Sequence, residues 1–259
     1  MQNLETIVLI GSGNVATQLA IAFYAKGLKI EQVYSLDINH AKQLAVHVNS
    51  PATDNLKDIY PEADLYIVAV KDDAIAEINA GLRLPGRMVV HTSGSADVDA
   101  LGAVSLTGGA FYPLQTFTKD HSLNWENVPL IINGMDEEST AMLREFAVKI
   151  SPNVHEFNEE ERKRIHVAAV FANNFVNYIL GNAKTILGEN IPFSILEPLV
   201  RETVEKAFSH GTENSQTGPA KRGDIKTIEA HLKLLEDLPD VQGIYKVMTD
   251  AIIEKYRDS

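Results

Sequence analysis

His166, Asn173 and Asn177 stand seven and four residues apart in a stretch otherwise rich in alanine, valine and phenylalanine. On a helix of 3.6 residues per turn that spacing puts one imidazole and two amides on a single stripe. An imidazole titrates near neutral pH and moves a proton to or from oxygen or nitrogen, which makes His166 a candidate general acid or base. Asn173 is its candidate hydrogen-bonding companion, and Asn177 extends the stripe toward a substrate. The same three side chains also suit a plain role as interhelical hydrogen bonds in a core. Further on, Thr217 to Asp224 combines Gly and Pro with Lys221 and Arg222, a loop suited to fixing an anionic group through a guanidinium. Alternatively, Arg222 and Asp224 pair and cap the helix that follows. No His-x-x-x-His pair and no carboxylate cluster with ligand spacing occurs in the sequence, so no metal site is expected.

A second constellation opens the chain. Gly11-x-Gly13-x-x-Ala16 follows an apolar run from Thr6 to Ile10 and starts an amphipathic stretch closed by Lys26-Gly27. In such a strand-turn-helix, the first glycine permits the turn and the second lets the main chain approach a diphosphate. The alanine keeps the helix close to its strand. Gly11, Ser12, Gly13, Asn14, Val15 and Ala16 are therefore candidate dinucleotide contacts, the plain alternative being a glycine-rich turn without ligand. The choice of nucleotide falls to the end of the second strand, at Ser35, Leu36 and Asp37. Asp37 suits the ribose hydroxyls of NAD, whereas Ser35 and Asn39 can donate to the extra phosphate of NADP; NADP and NAD both remain open, as does a merely solvated Asp37. Val70 and Lys71 follow one buried apolar run, and Thr92, Ser93 and Gly94 follow the next. Both groups lie at C-terminal strand ends, where open sheets bind ligands, and they are candidates for the nicotinamide side of the crevice or else ordinary polar loops.

These residues need a scaffold, and the periodicity supplies it. Strand-like runs at 6–10, 32–36, 64–70, 86–91 and, more weakly, 130–132 alternate with helical spacing from Ala16 to Ala25 and over 39–48, which predicts an α/β fold with a doubly wound parallel sheet. From Asn158 onward only helical periods occur, over 159–187, 194–208, 225–236 and 241–256. The expected organisation is a dinucleotide-binding domain at 1–157 and an all-α domain at 158–259. With 45% hydrophobic and 22% charged residues and a net charge of −12, the chain reads as an ordinary globular protein that disfavours nucleic acid and anionic membrane. It has no cysteine, no leader-like opening and no membrane-length apolar stretch, which together predict a cytoplasmic protein.

Three further blocks occur in order: Asp64 to Ile75, His91 to Ser95 and Phe111-Tyr-Pro-Leu-Gln-Thr-Phe117. With Gly11 to Ala16, His166 to Asn174 and Thr217 to Asp224, they give the chain a family look. It resembles the Rossmann-like NADP oxidoreductases that carry a helical C-terminal domain of unknown function, relatives of pyrroline-carboxylate reductase, prephenate dehydrogenase, ketopantoate reductase and deazaflavin-dependent NADP reductases. The resemblance covers nearly the whole chain. It implies hydride transfer with a nicotinamide cofactor and a homodimer built on the C-terminal helices, but no particular substrate; the expectation of a small, anionic metabolite rests on the loop of Lys221 and Arg222. Tyr112 and Gln115 are candidate substrate contacts within the third block. Two positions depart from the group: Tyr112 stands where histidine is typical, and Leu36 where arginine is frequent. Competing expectations are a non-catalytic NAD(P)H-binding or redox-sensing protein and a deazaflavin-linked hydride exchanger; a dedicated proton donor beside the nicotinamide separates the leading reading from both.

Overall fold

Alternate residues along the central strands face opposite layers, and this alternation builds the sheet's two cores. In the computed structural model, which describes residues 4–119 and 123–257, strand β1 spans Thr6–Ile10 and β4 spans Leu65–Val68. Ile7, Leu9, Leu65 and Ile67 join one buried cluster, while Val8, Ile10, Tyr66 and Val68 join another. The first cluster is covered by α1 (Asn14–Ala25), α2 (Ile38–His47) and α4 (Glu137–Ala147), through Leu19, Phe23, Leu44, Leu143 and Phe146. The second is covered by α3 (Asp72–Gly81) and the segment around Leu101 and Val104.

The remaining strands are β2 (Lys29–Tyr34), β3 (Ala52–Thr53), β5 (Met88–His91), β6 (Thr107–Pro113), β7 (Leu130–Gly134) and β8 (Val154–Glu156). Their order in one sheet is β3-β2-β1-β4-β5-β6-β7-β8, and its first six positions are those of a doubly wound dinucleotide fold. Neighbours are parallel from β3 through β6; β7 then runs antiparallel to β6 and parallel to β8. Strand β6 contains Gly108 and Gly109, poor strand formers. The sheet demands them: a Cβ at Gly108 would lie 1.7 Å from the Val89 carbonyl oxygen, and one at Gly109 2.1 Å from that of Asn133.

At Asn158, where the sequence changes character, a reciprocal cap forms. The Asn158 side chain accepts the Glu161 N–H, and the Glu161 carboxylate accepts the Asn158 N–H. Helix α5 (Glu159–Ala169) starts there and passes into a π-helical turn over Val170–Phe175. The chain's two compact units are Met1–Asn173 and Asn174–Ser259. Helix α5 falls in the first because it is pinned there. Arg162 donates to the carbonyls of Ser93 and Ala96, Lys163 pairs with Asp97, and the Glu159 carboxylate accepts the Val98 N–H.

The second unit contains α6 (Val176–Leu187), α7 (Glu197–His210), the short turns α8 (Thr212–Ser215) and α9 (Pro219–Arg222), α10 (Ile225–Leu234) and α11 (Pro239–Lys255). Among its described residues, the buried apolar side chains are Ala220, Ile228 and Leu235. No helix of the described residues is long and apolar enough to cross a membrane.

Candidate functional site

The glycine-rich turn is shaped by what surrounds each residue. Gly11 takes φ +122°, and a Cβ there would sit 2.2 Å from the Ala69 carbonyl oxygen, so no other residue fits without moving the end of β4. Its N–H is used, donating to the Tyr34 carbonyl at 2.8 Å. At Gly13 a Cβ would meet nothing within 4 Å, which leaves open space above the main chain. Gly13 is also the N-cap of α1, no side chain caps that helix, and no acidic residue occupies its first turn. The amides of Asn14, Val15 and Ala16 thus form a positive helix start with room for an anion over Gly13. Ala16 is fully buried, as close packing of helix on strand requires.

Next to this turn, Ser12 Oγ donates to Ser35 Oγ at 2.8 Å and ties the turn to the end of β2. A cleft of about 350 Å³ opens here, its walls formed by Ser12, Ser35 and Leu36 on one side and Val70, Lys71 and Ala74 on the other. Seven of the sequence-predicted contacts line it: Gly11, Ser12, Gly13, Ser35, Leu36, Val70 and Lys71. Asp37 caps α2, its Oδ1 accepting the Asn39 N–H at 2.8 Å. That backbone bond holds the carboxyl below the usual carboxylate range, so it is ionised at neutral pH. Asn14 uses its side-chain amide elsewhere, donating to the Phe117 carbonyl at 2.8 Å.

Farther along the same sheet edge the loop after β5 meets β6 and α5. The Ser93 hydroxyl is committed within the loop, accepting the N–H groups of Ser95 and Ala96 at 3.1 and 2.9 Å. The Thr92 N–H donates to the Val68 carbonyl. Gly94 leaves room for His166, whose Nδ1 would stand 2.5 Å from a Cβ at that position. On the other side the Tyr112 hydroxyl lies 3.0 Å from the same Nδ1, the two rings edge to face. Two residues nominated separately, a candidate base and a candidate substrate contact, thus form one hydrogen-bonded pair, seated on a third nominated residue. Burial pushes the Tyr112 phenol up, and the Arg162 guanidinium opposes that shift.

Behind the pair lie two groups that sequence reasoning did not select. His91 is fully buried, with Nε2 2.9 Å from the Asp97 carbonyl and Nδ1 accepting the Ser93 N–H. Burial, aided by the Arg162 charge, pushes it down to about 4, so it is neutral at pH 7. Arg162 is fully buried as well and donates to the carbonyls of Ser93 and Ala96 at 2.9 and 2.6 Å. Its signal was masked by its neighbours, since the run Glu159-Glu-Glu-Arg-Lys-Arg164 reads as a solvated helix face. These two side chains fix the backbone from Ser93 to Asp97 and thereby the seat of His166.

Gln115 is exposed, and its Oε1 accepts the Thr116 N–H. Asn173 is exposed at the end of the first unit, inside the π turn. The stripe of His166, Asn173 and Asn177 presumes a continuous α period, and the wider π turn interrupts it. Asn177, Lys221 and Arg222 belong to the second unit. There Lys221 Nζ stands 4.8 Å from the centre of the Tyr256 ring, and Asp224 caps α10 through the Thr227 N–H and hydroxyl. Among the described residues no group of His, Asp and Glu is arranged to hold a metal ion.

Residues 6–94 match the family described as NADP oxidoreductase coenzyme F420-dependent, and residues 128–252 match a domain of unknown function, DUF2520. The crystal structure of the NADP-oxidoreductase-type protein BF3122 from Bacteroides fragilis is 38% identical, covers 96% of this chain and 98% of that one, and superposes with a TM-score of 0.90. Protein TM1727 from Thermotoga maritima is 22% identical over 97% of this chain and 100% of its own, with a TM-score of 0.77. An imine reductase from Myxococcus stipitatus, solved with NADP+, is 16% identical over 98% and 93%, with a TM-score of 0.64. At those two identities the likeness is one of fold. No curated protein matches the chain.

Proposed function

The chain belongs to the family of Rossmann-fold NADP oxidoreductases with a helical C-terminal domain, and we propose that it is an NAD(P)-dependent oxidoreductase acting on a small, anionic metabolite. The observation that carries this reading is the turn from Gly11 into α1, with open space over Gly13 and a helix start that no side chain caps. The amides of residues 14–16 would hold the diphosphate, and the cleft between Leu36 and Val70 would receive the adenosine end, so that Val70 and Lys71, expected on the nicotinamide side, would flank the adenosine instead. When bound, the nicotinamide supplies or accepts the hydride.

What remains for the protein is to move one proton and to hold the reacting groups in place. His166 does the first. Its Nδ1 is engaged by the Tyr112 hydroxyl, which leaves Nε2 as the nitrogen that gives a proton to the substrate heteroatom in reduction and takes it back in oxidation. Tyr112 and Gly94 fix the ring, and Arg162 with His91 fixes the loop on which Gly94 sits. Lys221 and Arg222 are the anion-binding groups proposed for the second unit. The apolar side chains that this unit exposes support a homodimer in which a second copy covers them. The fold shared with the imine reductase makes C=N compounds the first class to screen.

The test is a screen of small imino and oxo acids, followed by nicotinamide absorbance. A substrate should be turned over by the wild type, and His166→Ala should lose at least about 100-fold in turnover while retaining its affinity for the nucleotide. Saturable nucleotide binding with unchanged turnover in His166→Ala contradicts the assignment of the proton donor. Binding without any turnover supports the non-catalytic alternative.

A further inference from the structure

The end of β2 carries a charge pattern that bears on which nicotinamide nucleotide the cleft accepts, an inference that rests on the cofactor reading above. Ser35 and Leu36 line the cleft where this fold places the adenosine ribose, and Asp37 follows them directly as the N-cap of α2. Ser35 is engaged with Ser12. Leu36 is 71% exposed and offers no donor. Asp37 presents a half-exposed carboxylate, with Oδ1 on the Asn39 N–H and Oδ2 3.9 Å from His40 Nδ1.

That carboxylate already occupies the positive end of α2. A 2′-phosphate would bring close to two further negative charges to the same helix start and, lacking donors once ionised, could not satisfy Asp37. A ribose 2′-hydroxyl is a donor, and Oδ2 is an acceptor beside it. The cations that could reverse this balance are few. His40 sits by Asp37, and Lys71 lines the opposite wall together with Glu77, which offsets it. The sequence has no arginine before Arg83, whereas a guanidinium is the group that suits bidentate phosphate binding.

We propose that this chain selects NAD(H) over NADP(H), and that Asp37 is the residue that determines the choice. Titration of the intact protein with NADH and with NADPH, followed by nucleotide fluorescence, tests it directly. NADH should bind about tenfold or more tightly than NADPH in the wild type. Asp37→Asn removes the charge and keeps a good helix cap, so its NADH-to-NADPH ratio should fall by about tenfold. Adding Leu36→Arg to that variant should invert the preference. Each ratio is measured on a single protein, which cancels any general loss of folded material. Equal or tighter NADPH binding by the wild type overturns the inference and leaves the oxidoreductase reading intact, as does a ratio unmoved by Asp37→Asn. Failure of both nucleotides to bind overturns the cofactor reading and this inference together.

Discussion

The first unit closes around two large clusters of fully buried side chains, with Ile7, Leu9, Leu19, Phe23 and Phe146 in one and Ile10, Tyr66 and Leu101 in the other. The second leaves Phe208 90% exposed, with Leu199, Ile195 and Val247 also in solvent. Apolar stripes that a helix leaves exposed are expected to be covered by another chain. The contrast divides the labour. The first unit encloses its own core around the nucleotide cleft, whereas the second leaves apolar side chains exposed, which supports the proposed homodimer.

The largest effect that would break this contrast is on assembly. Wild type should elute as a dimer at micromolar concentration in size exclusion with light scattering. Leu199→Asp combined with Phe208→Asp should raise the dimer dissociation constant by about 100-fold or more while the first unit still binds nucleotide. A monomeric wild type would mean that the exposed stripes are simply tolerated.

Within the first unit, Gly11→Ala should cost about 3 kcal/mol or more in chemical denaturation, because the added methyl meets the Ala69 carbonyl and the backbone sits at positive φ. A loss below about 1 kcal/mol would show that the β4 end yields easily.

Acid should act on the first unit through His91. Its folded pKa of about 4 lies below the ordinary 6.5, so the unfolded chain binds the proton first. Stability attributable to His91 is complete above pH 6.5 and is lost as the pH falls toward 4. Between pH 7 and 4.5 this loss amounts to about 2–3 kcal/mol, and His91→Gln should remove that part of the acid sensitivity. Equal acid slopes in the two proteins would contradict a buried neutral imidazole. The smallest expected effect is at the start of α5, where Asn158→Ala removes a reciprocal cap and should lower stability by about 1 kcal/mol in the same assay.

Legibility from sequence follows the same division. Strands β1, β4 and β5 stand out as short β-branched runs because they are buried on both faces, and the Gly11 turn is explicit because only glycine fits there. These central parallel strands and the turn itself were therefore readable. Strand β6 was hidden by Gly108 and Gly109, whose reason is the neighbouring strands and not local propensity. The antiparallel turn of β7 depends on long-range pairing and leaves no period of its own. Arg162 and His91 were invisible because burial of a charged or imidazole side chain is decided by the loop that folds over it. The pairing of Tyr112 with His166 joins residues 54 positions apart, and each was legible only as a separate candidate. The π turn inserts into a helix without disturbing its composition, so an α stripe was expected across it.

The claim on which the rest depends is that main-chain amides at the start of α1 hold a diphosphate over Gly13. Calorimetric titration of wild type and Gly13→Asp with NADH and NADPH tests it most directly. A Cβ at Gly13 meets nothing within 4 Å, so the variant should keep the wild-type melting temperature while its carboxylate fills the phosphate position. Saturable binding by the wild type and its loss in an equally stable Gly13→Asp is the predicted result. No binding by the wild type, or undiminished binding by the variant, would contradict it.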